Sequence, residues 1–259
     1  MATPSEPSQQ ASGNTESKMP PLYQSVVPLS AASHGTHRLS GTTDFLFASQ
    51  VNALPLAAVE FVSASRNFPI VFSSKPPYAP MCFLGLKTGE NSFLRKDGQW
   101  ARSVYIPAYV RRYPFLLLND GSGGEPALGI ETSCKRLQTK DGEALFENGQ
   151  PSSFLKQMLE FCADYNRHWS ISLAFVEALA SAQILTQENI ALSSMENHRL
   201  NLTDMLGIDE QRLNELPAET LISWRDKGWL APIYAQIASR HNWSLLAEKA
   251  AEDTAQHTS

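Results

Sequence analysis

Asn148-Gly-Gln-Pro-Ser-Ser-Phe-Leu-Lys-Gln-Met-Leu-Glu-Phe-Cys-Ala-Asp-Tyr165 changes character in mid-stretch. Asn148-Gly149 supplies the positive φ angles of a tight hairpin turn. Just beyond it, Phe154, Leu155, Met158, Phe161, Cys162 and Tyr165 fall at i, i+1, i+4, i+7, i+8 and i+11, the apolar stripe of a helix. Period two gives way to period 3.6 near Pro151, and that switch divides the chain into a β-rich part and a helical part.

Upstream of the switch, Pro and Gly interrupt short apolar runs. Ile70–Ser73, Met81–Leu86, Phe115–Leu118 and Ala127–Glu131 are strand candidates, and Asp97-Gly98 and Asp141-Gly142 repeat the hairpin signal around Asn91–Trp100 and Glu143–Phe146. One helix interrupts them: Pro55 suits a first helical position, Leu56, Val59 and Val62 follow at helical spacing, and Asn67 with Phe68-Pro69 stops it. A shorter turn is expected over Pro107–Tyr113, before Pro114. Downstream, the long helix continues through Leu173, Val176 and Leu179. Asp209 caps a helix over Glu210–Leu216, and Pro217 opens another that Gly228 ends. Trp229–Arg240, with Ile233, Tyr234 and Ile237 on one side, and Trp243–Ala250 complete the set.

The expectation is an α+β fold: an antiparallel β-sheet N-terminal half with an inserted helix, packed with an α-helical C-terminal half. Residues 1–18 read as a disordered leader. Residues 19–250 read as one domain, β-rich over 19–150 and helical over 151–250, and 251–259 as a frayed tail.

The chain has 259 residues and a net charge of −5. Such a charge argues against a nucleic-acid binder, which needs a clearly basic face. Three of the five net negative charges fall in Met1–Lys18 and Glu248–Ser259, so the ordered part is nearly neutral and an acidic ligand stays open. No apolar run reaches the ~18–20 residues of a membrane span. Cys82, Cys134 and Cys162 are scattered and form no Cys-x-x-Cys pair, which fits a reducing compartment. Met1–Lys18 lacks the apolar core of a signal peptide, so a cytoplasmic location is expected. Asn201-Leu-Thr and Asn242-Trp-Ser matter as glycosylation acceptors only in a secreted chain.

The sequence carries no Gly-x-Gly-x-x-Gly after a strand, no Walker loop, no Gly-x-Ser-x-Gly elbow and no His-Glu-x-x-His. Asp120-Gly-Ser-Gly-Gly-Glu125 is flanked by acids and reads as a turn between strands rather than a phosphate cradle. His34-Gly-Thr-His37 has metal-like spacing, and Glu60 or Asp44 would complete an iron or zinc site; the alternative is that His37 anchors its loop by a hydrogen bond. His168 reads as an interfacial residue, and His198 and His241 have no recognisable partner. Arg111-Arg112, framed by Tyr109 and Tyr113, is the densest positive charge in the folded region. The pair would clamp a carboxylate or a peptide C-terminus; the alternative is one arginine capping a helix end and the other pairing with a surface acid. Trp100 and the other tryptophans read mostly as core, although aromatic side chains also suit a peptide-binding cleft.

Several phrases together resemble the SapC-like, surface-layer-related proteins of bacteria. They are Tyr23-Gln-Ser-Val-Val-Pro-Leu29 with His37; Phe45 and Phe47; Pro55-Leu56; Glu60-Phe61; Phe68-Pro-Ile-Val-Phe72; Asn91-Ser-Phe-Leu94; Asp97-Gly-Gln-Trp100; Tyr105–Phe115; Leu145–Gly149; and Gly228–Ala235. The resemblance runs from Tyr23 to Leu246. It departs where the pattern expects a His after Tyr234-Ala235 and this chain has Gln236, so no ligand role is carried to that position. The resemblance implies an accessory protein for a peptide or surface-layer-related substrate, in gene settings that include flavin-dependent tryptophan halogenases, cupin-like oxygenases and outer-membrane receptors. It brings no catalytic residue set. Two readings follow: a binding protein using Arg111, Arg112, Tyr109, Tyr113 and Trp100, or an iron- or haem-dependent oxidoreductase using His34, His37 and Glu60. A structural surface-layer component fits poorly with a leader that lacks a secretion signal.

Overall fold

A computed structural model describes residues 19–41, 44–118, 127–188 and 205–257. The leader over 1–18, the turn over Gly121–Gly124, His198, Asn201 and the last two residues of the tail lie outside the described residues.

In chain order the strands are β1 (Val26–Pro28), β2 (Arg38–Leu39), β3 (Ala53–Pro55), β4 (Ile70–Ser73), β5 (Pro80–Phe83), β6 (Phe115–Leu118), β7 (Ala127–Glu131), β8 (Leu137–Gln138), β9 (Glu143–Ala144), β10 (Phe146–Glu147), β11 (Gln150–Pro151), β12 (Leu185–Gln187) and β13 (Met205–Ile208). The α-helices are α1 (Ala31–His34), α2 (Phe61–Ala64), α3 (Ala108–Arg111), α4 (Ser153–Ser181), α5 (Glu210–Asn214), α6 (Ala218–Asp226), α7 (Leu230–Ser239) and α8 (Asn242–His257). Every ladder is antiparallel. One sheet has the order β12-β13-β4-β5-β3, a second β1-β7-β6, a third β8-β2-β9, and β10-β11 is a separate hairpin. The architecture is α+β, with antiparallel sheets in the N-terminal half and helices in the C-terminal half.

The turn chemistry behaves as the sequence demands. Asn148 and Gly149 adopt φ of 50° and 76°, and Glu147 pairs with Gln150 across them. Gly98 adopts φ 78°, and Leu94 bridges Trp100 in antiparallel fashion. Ser152 caps the 29-residue α4 by accepting from the Leu155 N–H, and Asp209 accepts from Gln211 and Arg212 to cap α5. Helix α8 runs on through most of the stretch expected to fray.

Three expectations differ from the structure. Pro55 ends β3 rather than opening a helix, and the helical segment begins only at Ala58 as a 3-10 turn that passes into α2. That change of phase turns Phe61 and Ala64 inward and leaves Val59 and Val62 at 64% and 51% exposure. Tyr234 likewise faces outward, while Ile233, Ala235 and Gln236 of α7 are buried. Finally, the helical half contributes an antiparallel strand pair, β12 and β13, which completes the five-stranded sheet next to β4.

Helix α7 repairs that junction. Met205 pairs with Ser73 and Leu206 with Phe72; continuing the register would set Ile208 opposite Ile70. There the strands are joined through side chains instead. Gln236 donates its Nε2–H to the Ile70 carbonyl at 2.9 Å and accepts from the Ile208 N–H at 3.1 Å. Ser239 accepts from the Ile70 N–H at 3.0 Å, and Arg240 donates to the Ile208 carbonyl. All four backbone groups of the splayed pair are thereby satisfied, as buried polar groups require. Asn242 adds bonds to the Ser65 and Phe68 carbonyls.

Candidate functional site

Arg111 and Arg112 are adjacent on one helical turn, about 100° apart around its axis, so they diverge. The expected double fork does not form. Arg111 lies on the surface, donates from Nε to the Ile106 carbonyl at 3.1 Å and lays its guanidinium 5.2 Å from the Phe161 ring. Arg112 turns inward and is 6% exposed.

Its guanidinium carbon lies 4.2 Å from the ring centre of Tyr109, 4.4 Å from that of Tyr165 and 5.6 Å from that of Tyr23. Among the described residues no carboxylate pairs with it, and its Nε has no hydrogen-bond partner. Burial disfavours the charge, but Tyr23, Tyr165 and Tyr109 outweigh that cost and hold the Arg112 pKa above its ordinary value. Burial also pushes the three phenols upward, against the pull of Arg112. They stay neutral at physiological pH and present intact π faces to the cation. Cys162, next to the cage, is pushed up to about 11 by burial and remains a thiol.

Each wall of the cage is held by a different element. Tyr109 is carried by α3 and Tyr165 by α4. Tyr23 sits in the irregular segment ahead of β1, where its hydroxyl donates to the Phe115 carbonyl at 2.8 Å. The Tyr109 hydroxyl donates to the Pro21 carbonyl at 2.8 Å, which ties the same segment to the cage. Just downstream, Gln24 and Ser25 donate their N–H groups to the buried Glu131 carboxylate at 2.6 and 2.9 Å.

Of the expected partners, Tyr109 is at the arginine, whereas Tyr113 and Trp100 are not among the rings stacked on it. Tyr113 stacks on Phe47 at 3.9 Å with planes 12° apart. Trp100 is buried, donates to the Tyr105 carbonyl and meets Phe45 edge-on. Both nevertheless belong to a continuous series of ring contacts from Trp100 through Phe45, Phe47, Tyr113, Tyr23, Tyr109 and Tyr165 to Trp169. Tyr23 and Tyr165 were missed as cage members. Tyr165 was visible only as part of the α4 stripe, and nothing local to Tyr23 shows that its ring returns to α3.

Among the described residues, His34, His37 and Glu60 do not come together as a three-ligand metal cluster. The His34 and His37 rings are 5.5 Å apart, and among the described residues no group of three His, Cys, Asp or Glu side chains stands where a metal would be held. The His34 Nδ1 accepts from the Ser30 N–H. Glu60 is buried and occupied: Oε1 accepts from the Tyr105 hydroxyl at 2.9 Å and the Ala108 N–H at 2.7 Å, and Oε2 from the Ala57 N–H at 3.3 Å. It caps α3 and its own helical turn. Burial first, and Glu60 second, push the Tyr105 phenol up to about 12. Glu60 is thus engaged by one phenol and two backbone N–H groups.

The family comparison identifies the chain through a match to the SapC family over residues 29–246. No curated protein and no solved structure shows a significant match to it.

Proposed function

The chain belongs to the SapC family, and from that premise we propose that it is a binding protein whose Arg112 cage captures the carboxylate of a peptide. The observation that carries this reading is the arginine itself, buried and without an acidic partner among the described residues. Leaving an ion uncompensated in the interior costs several kcal/mol. Cation–π contacts return roughly 2 kcal/mol for each well-desolvated ring, yet the Nε–H donor is left without an acceptor among the described residues. A carboxylate supplies both the charge and the acceptors. Two walls ride on helices and the third, Tyr23, rides on a non-helical segment, so displacement of Tyr23 is the route by which a ligand reaches the guanidinium. In this reading a surface-layer-related polypeptide is the substrate class, and a flavin-dependent halogenase or an oxygenase would act on the peptide so presented.

Calorimetric titration with the tripeptide Gly-Gly-Phe, as the free acid and as the C-terminal amide, tests it. The free acid binds at least tenfold more tightly than the amide, a preference lost in Arg112→Met and partly kept in Arg112→Lys. Equal binding of acid and amide, or an undiminished preference in folded Arg112→Met, overturns the proposal.

A further inference from the structure

Residues 22–24 separate the arginine cage from a second concavity. Tyr23 faces Arg112, while Leu22 and Gln24, its neighbours on the opposite side of the segment, line a cleft of about 210 Å3. The stacked pair Phe47 and Tyr113 forms an aromatic wall of that cleft. Leu46, half exposed, stands at its edge. Leu22 is held at φ 75°, a left-handed conformation that costs a leucine about 1 kcal/mol; strain of this kind collects at ligand-binding places.

The polar side of the cleft is cationic. Lys135 is exposed there and makes no ion pair with any described residue. Arg136 is fixed by two bonds from its guanidinium to the Ser40 carbonyl, at 3.3 and 3.2 Å. Two acids stand near the cleft, and both are turned to backbone donors: Asp44 Oδ1 accepts from the Leu46 N–H at 2.8 Å, and the buried Glu131 carboxylate accepts from the Gln24 and Ser133 N–H groups at 2.6 and 2.9 Å. Cys134 contributes a buried thiol that burial pushes upward, so it stays uncharged.

We propose that this cleft, walled by Leu22, Phe47 and Tyr113 and edged by Lys135 and Arg136, is a second binding site that takes a small planar aromatic carboxylate. An apolar cavity of ~150 Å3 accommodates benzene, so about 210 Å3 leaves room for a ring and a short acidic tail. The ring continues the Phe47–Tyr113 stack, and the carboxylate meets Lys135. Leu22 and Gln24 share a segment with Tyr23, so the site is tested on the chain without peptide, in which that segment separates the two concavities.

The probe is trans-cinnamate, titrated into the full chain and followed by calorimetry and by amide chemical shifts. A Kd on the order of 0.1–1 mM suits a ligand of its size, with shifts centred on Leu46, Phe47 and Ser133. Gln24→Trp fills the cleft from an exposed position and removes binding without lowering the melting temperature. Lys135→Gln weakens binding roughly tenfold, the effect of one lost charge-assisted hydrogen bond, and cinnamyl alcohol binds as weakly to the native chain. Absence of binding up to 10 mM cinnamate (roughly tenfold above the expected Kd), full binding to Gln24→Trp, or shifts centred on Arg112 rather than on Phe47 each overturns the proposal.

Discussion

Replacing Gln236 with leucine tests the junction on which the five-stranded sheet depends. The side chain is 0% exposed, and its amide joins the Ile70 carbonyl to the Ile208 N–H where the β4–β13 ladder has splayed. Leucine has a similar volume, so no large cavity opens, but both backbone groups lose their partner inside the core. Each costs about 1–3 kcal/mol when left unsatisfied. Burying an aliphatic group where an amide stood returns about 1–2 kcal/mol. The net loss is about 1–4 kcal/mol, centred on about 2.5. In urea, with a slope of about 2–3 kcal/mol/M for a chain of this size, the midpoint falls by about 1 M at unchanged slope. Gln236→His costs less, because a neutral imidazole also offers one donor and one acceptor. A leucine variant with a midpoint within ~0.2 M of the native chain, at equal slope, refutes the assignment of Gln236 as the bridge.

The Glu131 carboxylate gives a pH signature. Burial raises its pKa, but N–H donors from Ser133, Gln24 and Ser25 outweigh burial and hold it below the ordinary 4.5. A depressed carboxyl stabilises the fold above its unfolded value and loses that contribution as pH falls through the folded one. The native chain therefore exceeds Glu131→Gln in stability by about 1–3 kcal/mol at pH 7. That gap narrows below pH 4.5; a gap that widens on acidification contradicts the assignment. Gly149→Ala isolates backbone strain, because an added Cβ meets nothing within 4 Å while φ is 76°. A loss of about 1 kcal/mol in urea unfolding is expected, and no loss would mean that the hairpin turn relaxes.

Local chemistry made much of the fold legible. Phe115–Leu118 and Ala127–Glu131 are strands over the expected residues because apolar runs bounded by Pro and turn residues admit little else. Asn148-Gly149 and Asp209 act as turn and cap through bonds confined to a few neighbouring residues. What failed depends on distant partners. Pro55 reads as a helix start because a first-turn proline and a strand-ending proline look alike locally. β12 and β13 are three and four residues long, too short to announce themselves between helices. The roles of Gln236 and Ser239 follow from a splay between strands far apart in sequence. At the site, the divergence of Arg111 from Arg112 follows from helical geometry alone, whereas the return of Tyr23 and Tyr165 to Arg112 is a tertiary fact.

The most direct measurement of the account is the Arg112 Nε–H resonance in a nitrogen-15 spectrum, followed as Gly-Gly-Phe is added. In the free protein that group is buried without an acceptor among the described residues. The free acid shifts that resonance downfield and saturably, and the amide leaves it in place. An Arg112 signal unmoved by a peptide that calorimetry shows to bind, or moved equally by acid and amide, would contradict carboxylate capture at Arg112.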